Sequence, residues 1–285
     1  MKKFLGIYAF LALVGVMAIV SMNLSDWVMF WAPNKVREIS SEVFQGSYAL
    51  LLWRYLARRG LGYLKLPAFN WRNLLFLLPA IYQIYWAFDS VFYKTSTPKH
   101  LVYSILVVLG IGFGEEMLCR GFTYGYLSRF GIFVGVIGSS VFFGLMHITN
   151  AIFGQSISST IAQIINAAGM GVLACGLMLA MKSIWPAVVM HAINDLPMTI
   201  MEVKKMKFRV SPMEILGTTA WAMIPVIFGV LLTLVALIRD AELGDGASKF
   251  DWRVLKLLED MGERIERQVS GNKIFGHLVQ PTQMK

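Results

Sequence analysis

The side chains of this sequence that are equipped for chemistry fall in three short patterns. They are Glu115-Glu116-Met117-Leu118-Cys119-Arg120, then Phe143-Gly144-Leu145-Met146-His147, then His191-Ala192-Ile193-Asn194-Asp195. Each pattern is built on a spacing of four, which on a helix brings its outer side chains to one face. Glu116 can then pair with Arg120. Glu115, turned by about 100° on the same helix, is left free. Two carboxylates with different partners are expected to differ in acidity, which is how acid and base roles separate. Phe143 lies one turn before His147 and can pack on the imidazole, and Gly144 leaves room for a close neighbour. His191 and Asp195 share a face with Asn194 at its edge. Pro186 and Pro197 flank that group, where a missing N–H can open the backbone ladder.

A glutamate with two histidines has two routes to an activated water. Glu115 can act as general base while His147 orients the water. Alternatively Glu115, His147 and His191 can hold a divalent metal such as zinc, which lowers the pKa of bound water to about 7. Either nucleophile serves for amide hydrolysis. His191 with Asn194 or Asp195 would then steady the oxyanion. An amide or a protonated Asp can donate a hydrogen bond there, and an ionised Asp cannot.

The elements that must position these groups are set by composition. Of the 285 residues, 56% are hydrophobic and 15% charged, with a mean hydropathy of +0.61. Soluble domains run near 25% charged, so too little polar surface exists here to cover a water-soluble globule. Runs of roughly 20 apolar residues cross a bilayer core. They fall at 4–22, 41–56, 73–93, 101–127, 131–153, 157–181, 184–203 and 213–238. The fold class expected is an all-α polytopic membrane bundle of about eight transmembrane helices with an internal polar cavity. The run at 41–56 is the weakest, since it is short, carries Glu42 and ends in Arg54, Arg58 and Arg59. The first run follows Lys2 and Lys3 and reads as an uncleaved signal-anchor.

Residues 1–240 form the expected transmembrane domain, with the motifs concentrated in about 100–203. Residues 241–285 form a polar tail in which Leu258, Met261, Ile265 and Val269 recur at helical spacing, as in a cytosolic amphipathic helix. Lys2 and Lys3 argue for a cytoplasmic N-terminus, and an even number of spans returns the C-terminus to the same side. The basic loop Arg54–Arg72 agrees with that orientation, whereas Lys204, Lys205, Lys207 and Arg209 fall on the opposite side. The net charge of +9 sits mostly at the ends of apolar runs, where it anchors to lipid headgroups. No basic stripe interleaved with exposed aromatics marks a nucleic-acid partner. Cys119 and Cys175 lie inside apolar runs and read as small packing residues.

An ionisable side chain inside such a bundle costs at least ~2.5–3.5 kcal/mol to insert. Of 17 acidic residues, Glu115, Glu116 and Asp195 fall well inside apolar runs, as do two of the four histidines, His147 and His191. Convergence in one cavity is the economical way to satisfy them all. At 1.5 Å per residue, Glu115 lies about 21 Å, His147 about 24 Å and His191 about 10 Å from the starts of their runs. The helices must be tilted or displaced for the three to meet.

Taken in order, Glu-Glu-x-x-x-Arg, Phe-x-x-x-His and His-x-x-x-Asp resemble the motifs of the CPBP family, the CAAX proteases and bacteriocin-processing (Abi) proteins. The resemblance covers roughly residues 100–200. It implies eight transmembrane helices around a hydrophilic cavity and intramembrane proteolysis, with prenylated CAAX proteins as substrates of eukaryotic members. By likeness, Glu115 matches the water-activating glutamate and His147 its partner, and His191 and Asp195 match the pair at the oxyanion. Glu116, Arg120 and Phe143 are supporting residues. The resemblance leaves metal dependence open. Peptide or prenylated-protein substrates and the lipid bilayer are the implied partners.

Two other classes compete. A non-catalytic scaffold or bacteriocin-immunity protein would use the same groups to hold helices together. A proton or cation transporter would use Glu115, His147 and His191 as a relay, but the repeats and matched broken helices common in transporters are missing from the sequence. His-Glu-x-x-His, Gly-x-Ser-x-Gly and Gly-x-Gly-Asp, the marks of other membrane proteases, do not occur.

Overall fold

A computed structural model describes residues 34–54, 61–68, 70–81, 84–85, 87–89, 97–152, 154–200 and 210–242. The expected first span, the cationic loop at 204–209 and the tail from 243 lie outside these residues. The chain divides into two units, Met1–Ile238 and Arg239–Lys285, and every helix that builds the polar cavity belongs to the first.

Every regular element among the described residues is helical. The chain runs through α1 (Asn34–Leu52), the short α2 (Trp71–Phe76) and α3 (Pro98–Glu116). Thr97 opens α3, its hydroxyl accepting the His100 N–H at 3.2 Å ahead of Pro98 in the first turn, a start that suits a residue with no N–H to offer. Beyond Glu116 the helix does not stop. Met117–Thr123 widens into π-helical winding, and Tyr124–Leu127 returns to α-helix. Gly131, with φ +133°, turns the chain into α4 (Ile132–Met146). Ser156 caps α5 (Ile157–Met181), which ends on Lys182 in the left-handed region. Then come α6 (Trp185–Ile200) and α7 (Pro212–Glu242). Ser211 and Glu214 cap α7 reciprocally, the Ser211 N–H donating to Glu214 Oε2 and the Glu214 N–H to Ser211 Oγ.

Among the described residues, four stretches are long and apolar enough to cross a membrane: Pro98–Phe130, Ile132–Ile152, Ile157–Met181 and Pro212–Asp240. They match the expected runs at 101–127, 131–153, 157–181 and 213–238. The run expected at 41–56 lies in α1, whose apolar part is Val43–Leu52. The run at 73–93 is not one unbroken helix, because α2 ends at Phe76 and a 3₁₀ turn carrying Pro79 comes after it. The run at 184–203 is represented by α6, 16 residues with Pro197 inside.

Close backbone approach sets the packing. A Cβ on Gly112 would lie 2.7 Å from the Val188 carbonyl oxygen, so α3 and α6 touch main chain to main chain. A Cβ on Gly144 would lie 2.6 Å from the Ile164 carbonyl oxygen, which fixes α4 against α5. Gly169 and Gly176 meet the backbone of α7 in the same way, and Gly171 meets Ser140 of α4. These contacts place α5 at the centre. The glycines at 131, 135 and 138 do something else. Gly131 makes the turn, and Gly135 and Gly138 receive the ring of Tyr124 and the methyls of Leu127 from the preceding arm. Trp53, fully buried beyond α1, covers Gly121 in the π-helical segment.

Gly144→Val should therefore push α4 from α5 and cost about 1–3 kcal/mol, the range for overpacking. A thermal melt in detergent measures it, and an unchanged midpoint would refute the close approach.

Candidate active site

The glutamates at the end of α3 face a cavity of about 380 Å³ enclosed by α1, α3, α4, α5 and α6. Glu115, Glu116, Arg120, Phe143, His147, His191, Asn194 and Asp195 all line it. All three sequence patterns thus meet in one place, and the mismatch of heights along the runs does not keep them apart.

The two glutamates differ in access. The Glu116 side chain is 1% exposed, as is that of Arg120, while Glu115 is 22% exposed. Arg120 Nη1 lies 3.0 Å from Glu116 Oε1, the expected ion pair. Its angle is not that of a hydrogen bond, and Arg120 Nε and Glu116 Oε2 have no hydrogen-bond partner among the described residues. Arg120 is instead held by its face, with its guanidinium carbon 4.3 Å from the Phe143 ring centre. Glu116 Oε1 also takes His191 Nδ1 at 2.8 Å. Glu115, expected to be free, is not. Its Oε2 lies 3.7 Å from His191 Nε2, a partner from another helix.

His191 is the hub of the site. Its Nε2 lies 3.3 Å from Asp195 Oδ2 on its own face of α6, and Phe143 packs edge-on against it with centroids 5.5 Å apart. Phe143 packs the same way on His147 at 5.2 Å, so one ring orients both imidazoles. His147 Nδ1 lies 3.0 Å from the Phe143 carbonyl oxygen. A carbonyl only accepts, so Nδ1 carries a hydrogen. Asn194 Nδ2 donates to Asp195 Oδ1 at 3.2 Å. Asp195 is therefore engaged at both oxygens, and Asn194 and Asp195 both line the cavity.

The far wall of the cavity is amide rather than ionic, and the three sequence patterns do not include it. Gln45, Asn150, Gln163 and Asn166 line it, and Gln163 Oε1 accepts from Asn150 Nδ2 at 2.9 Å and Gln155 Nε2 at 3.0 Å. Its signal in the sequence is Gln163 and Asn166, three apart inside an apolar run. Among the described residues, no group of three or more His, Cys, Asp or Glu is placed to hold a metal ion. Glu115, His147 and His191 converge on the cavity but, as arranged, are not a ligand set.

Residues 97–197 match a family of known proteins, described as Type II CAAX prenyl endopeptidase Rce1-like. The match opens at the Thr97 cap of α3 and closes at Pro197 in α6, so it takes in every residue of the three patterns. Over this segment the chain is similar to the CAAX-protease family. No curated protein and no solved structure matched the chain. With that likeness, the apolar helices make the chain an integral membrane protein, and a protease family implies a peptide or protein substrate.

Removing one partner of a buried ion pair leaves an uncompensated charge, at about 3–5 kcal/mol. Arg120→Met should lose that much stability, and Glu116→Gln in the same chain should recover part of it. Melting curves of the single and double variants check this. Equal stability in all three would show that the pair contributes nothing.

Proposed function

We propose that the chain is an intramembrane endopeptidase of the CAAX type that hydrolyses a peptide bond with a water activated by Glu115. The observation that carries the reading is the convergence of Glu115, His147, His191, Asn194 and Asp195 on one cavity within the family segment. A scaffold needs its polar groups satisfied. It has no use for a partly exposed carboxylate facing a cavity that two histidines also line.

In the proposed reaction a water sits between Glu115 and His147, donating one hydrogen to the carboxylate and one to His147 Nε2. Glu115 takes its proton as the oxygen adds to the scissile carbonyl carbon. The resulting oxyanion accepts a hydrogen bond from the second N–H of Asn194, whose first is given to Asp195. Collapse breaks the C–N bond, and the proton on Glu115 passes to the departing amine. Asp195 accepts at both oxygens and so positions Asn194 and His191 without touching the oxyanion. Glu116, Arg120 and Phe143 hold His191 in place. The donors do not fit a metal as placed, and no step runs through one.

The corresponding substrate class is a peptide or prenylated protein presented at the membrane. The test is cleavage of a farnesylated peptide ending in Cys-aliphatic-aliphatic-X by the full chain in phosphatidylcholine vesicles. Glu115→Gln should abolish turnover, and His147→Ala should lower it by about 10²–10⁴, both with unchanged melting. Full activity in either variant would sink the mechanism. Asn194→Ala should lower kcat by about 10²–10³ with little change in KM, as loss of one oxyanion donor does. A pure KM effect would move Asn194 out of that role.

A further inference from the structure

Beside the catalytic cavity lies a groove between α5 and α7, bordered by Ala162, Gln163 and Asn166 on one side and Gly217, Thr218 and Trp221 on the other. Gln163 and Asn166 line both the groove and the cavity. They stand three apart on one face of α5 and are half-buried.

The groove arises from how the two helices are held. Near their starts the Val210 N–H donates to Ser158 Oγ at 3.0 Å. Further along, a Cβ on Gly169 would lie 2.7 Å from the Ala222 carbonyl oxygen, and two turns on a Cβ on Gly176 would lie 2.5 Å from the Gly229 carbonyl oxygen. The helices are thus pinned at one end and in backbone contact beyond Gly169. Between those points Gly217 faces open space, with nothing within 4 Å of where a Cβ would stand.

Resting on the reading of the chain as an endopeptidase, we infer that the substrate's extended peptide passes through this groove into the cavity, held by the Gln163 and Asn166 carboxamides. An extended segment leaving water for a membrane protein must satisfy its own N–H and C=O groups. A carboxamide offers a donor and an acceptor without charge, so it pairs with any residue's main chain. Gln163 has its oxygen already engaged by Asn150 and Gln155, which fixes the side chain and turns its NH₂ to a peptide carbonyl. Asn166 and Gln163 are positioning residues for the substrate and take no part in the bond cleavage.

The test uses the full chain in phosphatidylcholine vesicles and the same farnesylated peptide. Gly217→Trp plugs the groove where space is free. It should raise KM at least tenfold, at unchanged kcat and unchanged melting. Gln163→Leu should raise KM about two- to tenfold, the worth of one hydrogen bond, again with kcat preserved. For a readout independent of turnover, Gly217→Cys carries a thiol-directed photo-crosslinker, since Cys119 and Cys175 are buried. Capture of the peptide at 217 supports the route, including in a Glu115→Gln background. Capture without cleavage by the otherwise wild-type chain would keep the route and sink the proposed catalysis. Cleavage with no capture and a wild-type KM in Gly217→Trp would overturn the route alone. Neither capture nor cleavage would overturn both.

Discussion

One carboxylate oxygen, Glu116 Oε1, joins the two helices on which the site depends. It takes the Arg120 guanidinium from its own chain segment and the His191 imidazole from α6. A charge this deep in an apolar bundle is tolerable only when paired, so its partners cannot wander. Once Glu116 has set His191, Asp195 is drawn to the other ring nitrogen, Asn194 is held by Asp195, and Phe143 fills the angle between both imidazoles. Glu115, next in sequence, is what remains facing the open cavity.

The apolar frame makes this arrangement possible by bringing main chains together. With lipid on the outside, hydrophobicity alone does not choose which helices pair, and close packing does much of the choosing. Gly112 against Val188 lets α3 carry Glu116 to within hydrogen-bonding distance of His191 on α6. Gly144 against Ile164 sets α4, and with it Phe143 and His147, against the central α5. The acidic cluster and the glycine contacts are thus two halves of one constraint, one choosing the partner and the other allowing the approach.

Much of this was legible because helical spacing reports faces. Glu116 with Arg120, Phe143 with His147 and His191 with Asp195 are each four apart, and each pair is in contact. Spacing does not report which face meets which. That His191 would bond a glutamate 75 positions earlier, or that Phe143 would serve Arg120 and His191 besides His147, depends on helix rotation that no local pattern carries. The break near Pro79 had a signal in the proline itself. The amide wall of Gln163 and Asn166 had a weaker one, because uncharged polar residues stand out little from an apolar run.

The π-helical winding of Met117–Thr123 has a mechanical consequence. Before it, the angle of the helix is fixed by the glutamates. After it, the angle is fixed by Tyr124 and Leu127 lodged on Gly135 and Gly138. A wider turn between two such anchors offsets the angle of one half of the helix from that of the other. The half of the span that bears the acids thereby faces the chemistry, and the other half its neighbour's surface.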